Sequence, residues 1–195
     1  RLGRRVAICD QVEDPALAKG IVRREVTETV TPGTVLADAL LAERRNNFLV
    51  ALVPDGRDGF GLAALDVSTG EMTAQGVLAA DLAAELGRLE PSELLLPRSL
   101  EGSRLLESEA GGPARTFRDD WMFEADVGAD ELLRLWGVQS LEGFGFQAGD
   151  VSLVRAAGAL VQYLRESRPS GASHLRPGRI RRPGHVMLLD EMTRR

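Results

Sequence analysis

Residues 47–77 constrain the fold more than any other stretch of the chain. FLVALVP (48–54) is an uninterrupted apolar run of strand length, and GLAALDVSTG (61–70) and EMTAQGV (71–77) follow it as two further runs. The pairs Asp55, Gly56 and Thr69, Gly70 lie between them, where glycine reaches the backbone angles of tight turns. The pattern predicts three consecutive antiparallel strands, a meander. In the first strand Phe48, Val50 and Leu52 fall on one face, and Leu49, Ala51 and Val53 on the other. A strand apolar on both faces has to be covered on both sides, so covering elements are expected from elsewhere in the chain.

The ribbon carries one carboxylate. Asp66 ends the run Leu62, Ala63, Ala64, Leu65 and precedes Val67, Ser68, Thr69, Gly70. An acid there can hold a metal or steer a phosphate, and it can equally cap its own turn by accepting backbone N–H bonds. A metal-dependent nuclease would need about three or four such carboxylates around two metals about 4 Å apart. Asp66 is the one acid counted inside the predicted sheet; Glu71, Asp81, Asp126 and Asp150 fall in turns, helix starts or loops. Turn capping is therefore the simpler reading.

The remaining elements follow from periodicity. Residues 5–10 (RVAICD) read as a strand, and 21–30 as a second strand in which Arg24 and Val26 share a face. Thr31, Pro32, Gly33 and Thr34 break it. Two strands with so little apolar surface are not expected to fold alone, which places their partners upstream of Arg1. Residues 35–46 read as a linker with helical spacing. Residues 79–89 read as a helix, with Leu82, Leu86 and Leu89 on one side. Residues 93–97 (ELLLP) read as a buried strand parallel to the first. A weak helix is expected over 99–108 and a strand near 115–117. A helix over 129–136 carries Asp130 and Glu131 in its first turn, where the helix dipole favours acids. The longest helix spans 151–167, its Ala156, Ala157, Gly158 and Ala159 packing on the sheet.

Composition excludes several functions. Among 195 residues, 44% are hydrophobic and no apolar run approaches the about 20 residues of a membrane span. No signal peptide is read at the start, and a cytoplasmic location is expected. Cys9 is the only cysteine, so an intrachain disulfide is impossible, and on its apolar strand it reads as a buried inert thiol. With His174 and His185 it shows no zinc-ligand spacing, and no metal site is expected. No G-x-x-x-x-G-K-[ST] loop is present. The net charge of −5 is unevenly spread: residues 81–131 hold 13 Asp and Glu against 5 Arg, whereas 174–195 hold six Arg against Asp190 and Glu191. Basic ends can lie on nucleic acid; the acidic middle suits a basic protein face.

The stretch VAICDQVEDPALAKGIVRREVTETVTPGT (6–34) resembles the end of the mismatch-recognition domain of the MutS family of bacterial DNA mismatch-repair proteins, with Asp10 where that pattern has Glu. LLAERRNNFLVAL (40–52), GLAALDVSTGEM (61–72), LEGFGF (141–146) and LDEMTRR (189–195) continue the likeness. The resemblance implies an α/β chain in which a partial mixed α/β recognition domain (1–34) and a linker (35–46) precede a connector (47–172). That connector would be ribonuclease H-like, a mixed sheet flanked by helices. A crossing segment and the start of a core domain (173–195) would follow. It implies no catalysis in this segment, the ATP and Mg²⁺ of the family belonging to an ATPase domain outside it. The implied partners are mismatched double-stranded DNA, MutL and a second copy of the parent in a homodimer. Arg24, with Lys19 as a second choice, would touch the DNA backbone, since a guanidinium pairs two phosphate oxygens at once; a plain surface arginine is the other reading. Asp130, Glu131 and Arg134 are the candidates for docking MutL. A nuclease using Asp66 and a generic interaction module are the alternatives.

Overall fold

The computed structural model describes residues 4–14, 20–34, 47–103, 112–168 and 175–182. The linker 35–46, Lys19, residues 104–108 of the expected 99–108 helix and the apolar run 186–189 fall outside these residues.

The first two strands, β1 (Val6–Gln11) and β2 (Arg24–Val30), form an antiparallel ribbon with Val6 opposite Val30, Gln11 opposite Arg24, and a bulge between Ile8 and Cys9. Every residue of β1 is exposed. Cys9 is exposed too, against the expectation of a buried thiol, because nothing among the described residues covers that face.

A second, larger sheet holds β3 (Phe48–Pro54), β4 (Gly59–Asp66), β5 (Glu71–Leu78), β6 (Glu93–Pro97), β7 (Ala114–Arg118) and β8 (Arg179–Ile180), in the order β7-β6-β3-β4-β5-β8. The meander forms as the turn residues dictate, with Leu52 opposite Leu62 and Ala63 opposite Ala74. β6 lies parallel to β3, β7 parallel to β6, and β8 parallel to β5, so β4 alone runs against its neighbours. The expected crossing segment thus contributes an edge strand of this sheet, held by Arg176 N–H to Gly70 O (2.9 Å) and Arg181 N–H to Ala74 O (2.8 Å).

Both faces are covered, as the two-sided apolar pattern of β3 requires. Leu49, Ala51, Val53 and Leu65 pack beneath helices α2 (Ala125–Trp136) and α3 (Val151–Ser167), against Leu132, Leu160 and Leu164. Val50, Leu52, Leu62 and Ala64 pack on the opposite side with Leu82 and Leu89 of α1 (Leu82–Leu89). Each leucine buried this completely stabilises the fold by roughly 2 kcal/mol.

One expectation about the helices is corrected. α2 begins at Ala125, one turn before the expected 129, so its first-turn acid is Asp126, while Asp130 and Glu131 sit mid-helix. Gly128, expected just ahead of the helix, lies within it, and it is glycine because α3 passes too close for a side chain: a Cβ would lie 2.7 Å from the Val154 carbonyl oxygen. A Cβ on Gly158 of α3 would lie 2.2 Å from the Gly128 Cα. The small-residue stretch of α3 therefore serves helix–helix contact at Gly158. The expected packing of α3 on the sheet holds beside it: Ala156, Ala157 and Ala159 are buried with Leu49, Ala51 and Leu65, and at Gly61 of β4 a Cβ would lie 2.4 Å from the Ser152 carbonyl oxygen.

Candidate functional site

Asp66 caps its own turn. It is buried, and its Oδ1 accepts the Ser68 N–H at 2.9 Å and the Ser68 hydroxyl at 2.6 Å. Its carbonyl oxygen accepts the Gly70 N–H at 2.9 Å. Among the described residues no three His, Cys, Asp or Glu side chains gather to hold a metal ion.

Asp66 is not the only acid in the sheet. Glu93, the first residue of β6, is wholly buried, and four donors converge on it. Oε1 accepts from the Thr116 hydroxyl (2.6 Å) and the Tyr163 hydroxyl (2.7 Å). Oε2 accepts from the Thr31 hydroxyl (2.6 Å) and the Gly33 N–H (2.8 Å). A carboxylate offers about four lone-pair sites, and here each oxygen receives two donors. Among the described residues no cation pairs with it. Burial, and then the charge of Glu93, push the Tyr163 phenol above its ordinary value, which keeps its proton in place as a donor.

The turn at 31–34 is built to meet that carboxylate. The Thr34 hydroxyl accepts the Thr31 N–H at 2.9 Å and lies 2.9 Å from the Thr31 hydroxyl. Since Thr31 gives its one hydroxyl proton to Glu93, Thr34 is the donor between the two. Asn47 Nδ2 donates to the carbonyls of Pro32 (3.3 Å) and Gly33 (3.4 Å). Gly33 admits no side chain: a Cβ would lie 2.7 Å from the Glu93 Cβ and 2.9 Å from Leu49 Cδ1. Beside the turn, Arg168 Nε lies 2.6 Å from Glu28 Oε1, a second tie between ribbon and helix.

Sequence reasoning missed this cluster. A signal was available: a carboxylate opening an otherwise apolar strand has to find donors when buried, and the hydroxyls of Thr31 and Thr34 were unassigned. What the sequence does not carry is the pairing, because the partners lie 60–70 residues away for Thr31, Gly33 and Tyr163.

The other predicted positions lie apart from it. Arg24 is exposed at the start of β2, at the ribbon end far from the turn, and has no ion pair among the described residues; Arg23 next to it pairs with Glu25. On α2, Asp130 and Arg134 are exposed. Glu131 is half-buried and held by Arg134 and by Arg165, the latter at 2.7 Å. The basic end is partly neutralised, since Arg182 clasps Asp150 through two bonds of 2.6 Å each. That guanidinium, with help from the Gln147 N–H and against the effect of burial, holds the Asp150 carboxyl below the usual range.

A two-stranded ribbon tied through a buried polar turn to a helix-covered mixed sheet defines a two-part α/β segment. Its two parts match two family models: residues 1–39 that of MutS domain I, and residues 47–176 that of MutS domain II. The chain belongs to the MutS family. It is 45% identical, over 205 aligned residues covering 99% of this chain, to the DNA mismatch repair protein MutS of Thermosynechococcus vestitus (strain NIES-2133 / IAM M-273 / BP-1). It spans 23% of the length of that relative.

Proposed function

We propose that this chain is the non-catalytic part of a MutS mismatch-repair protein that joins mismatch-DNA binding to the rest of the molecule. The observation that carries this reading is the match of both parts to MutS domains I and II, with a bonded junction between them. The helix-covered mixed sheet supports the ribonuclease H-like description of the connector. Asp66, occupied with its own turn, gives no support to a metal-dependent nuclease.

In this reading the parent protein is a bacterial cytoplasmic homodimer that binds mismatched duplex DNA. Its ATP and Mg²⁺ are held by an ATPase domain that this chain does not include. No helix among the described residues is long and apolar enough to cross a membrane, in keeping with that setting. Arg24, exposed and free of an ion pair among the described residues, is the DNA-backbone contact, with Lys19, five residues before it in sequence, as the second choice. MutL docks on α2 through the outward Asp130 and Arg134, and Glu131 serves chiefly to hold Arg134 and Arg165 in place.

Arg24→Ala in the full-length protein tests the DNA contact. Affinity for matched and mismatched duplex should fall alike, and the slope of log affinity against log salt should lessen by about one phosphate's worth. Unchanged affinity and slope would remove Arg24 from the interface. For the partner surface, Asp130→Arg should weaken capture of MutL at near-physiological salt; equal capture would move the docking site off α2.

A further inference from the structure

We propose that Glu93 and the 31–34 turn form a latch that sets the orientation of the β1–β2 ribbon on the larger sheet. The argument starts from how little else could set it. β1 exposes all its residues, and on β2 only 28–30 are even partly buried. The ribbon is attached among the described residues through the Thr31 and Gly33 bonds to Glu93, the Asn47 bonds to Pro32 and Gly33, and the Glu28–Arg168 pair.

The chemistry of these contacts gives direction as well as adhesion. Hydrogen bonds weaken steeply as their angle opens, so a turn that donates both a hydroxyl and a backbone N–H to one carboxylate oxygen has little freedom to rotate. Gly33 adds a steric stop, lying against the Glu93 Cβ and Leu49 Cδ1. Glu93 is itself held from the far side by Thr116 on β7 and Tyr163 on α3. One buried side chain therefore joins the ribbon's exit to two strands and a helix of the larger unit.

The same arrangement makes docking close to all-or-none. If the turn lifts away, Oε2 loses both donors at once, and a carboxylate left buried with half its partners is strongly unfavourable. Partly docked orientations are disfavoured, and the ribbon is either seated or released with water admitted to Glu93. The proposal stands on these contacts alone. It does not rest on Arg24 meeting DNA, so failure of the Arg24 prediction leaves it intact.

The test measures orientation in the 195-residue chain. Cys9, exposed on β1 and the only cysteine, takes one spin label; a second goes on Arg57→Cys, in the exposed β3–β4 turn of the larger unit. The pulsed dipolar distance distribution should be single and narrow. Thr31→Val, which removes one donor at nearly constant shape, and Gly33→Ala, which wedges the turn away, should each shift or broaden it. The near-ultraviolet circular dichroism should stay that of a folded protein. Glu93→Gln is the third variant, and Thr31→Val carries the test if Glu93→Gln does not fold. A distribution unchanged in Thr31→Val and Gly33→Ala would overturn the latch. So would loss of the folded signal together with the ribbon in both of those variants, since Glu93 would then be core and not a coupling point.

Discussion

Glu90 ends α1 with φ of 46°, the only positive φ outside glycine among the described residues. Its N–H bonds to Leu86 O at 2.9 Å, so the left-handed turn closes the helix properly, but with a side chain where glycine is favoured. Glu90 is exposed and its side chain is free to be lost. Glu90→Gly should stabilise the chain by about 0.5 kcal/mol, the backbone relief being offset in part by the freedom glycine adds to the unfolded chain; the urea midpoint reads it. Tyr163→Phe works in the other direction. It deletes one of the two donors on Glu93 Oε1 in a buried site and should destabilise by about 1–2 kcal/mol. Urea denaturation would show this as a lower midpoint at unchanged slope. A neutral result would mean that water replaces the phenol at Glu93.

At the scale of elements, β8 illustrates how a short strand is kept in place. Its two residues form few sheet bonds, and the Asp150–Arg182 clasp, with Arg182 also donating to Gly145 O at 2.9 Å, fastens the chain just beyond it. The Asp150 pKa is depressed in the folded chain, first by Arg182, so the clasp stabilises fully above the unfolded aspartate value of about 3.9 and is lost as pH falls through the lower folded value. The Arg181 amide, bonded to Ala74 O, should keep its protection at neutral pH and lose it progressively as pH falls below the unfolded aspartate value of about 3.9 and through the lower folded value. Asp150→Asn should weaken that protection already at pH 7, by about 1 kcal/mol in a partly exposed pair. Amide exchange at Arg181 measures both. The elements that sequence reasoning placed well were those whose signal is local. The β3–β5 meander has two-sided apolar runs cut by Asp-Gly and Thr-Gly pairs, and α3 carries a long helical stripe. Errors arose where the deciding fact lay elsewhere in the chain. The start of α2 was set one turn late, after Gly128, whose lack of a side chain answers to the α3 backbone at Val154. Cys9 looked buried because alternation reports an apolar face without saying whether anything covers it. Glu93 was passed over because its donors come from three distant segments.

For the whole molecule, the question is whether the two sheets open as one unit. A two-stranded ribbon is marginal by itself in water. β1 and β2 add little buried surface, whereas β3, β4 and β6 are enclosed by helices on both faces. Opening the ribbon exposes little apolar area and breaks a few polar contacts; opening the larger sheet exposes both cores. The free energies of the two events should therefore differ, with β1–β2 amides exchanging through an opening at least about 2 kcal/mol less costly than that of β3, β4 and β6. The Gly33 amide falls between the two populations in position and distinguishes two mechanisms of ribbon opening. Its N–H is bonded to Glu93, so it exchanges with the ribbon if the latch releases whenever the ribbon opens, and with the larger sheet if the ribbon frays while the turn stays seated. The all-or-none character of the Glu93 contacts predicts that Gly33 follows the larger sheet during fraying of β1 and joins the ribbon in Thr31→Val. Native-state hydrogen exchange at increasing denaturant would resolve the three groups. A single opening free energy shared by β1, Gly33 and β3 would show instead that ribbon and sheet form one cooperative body.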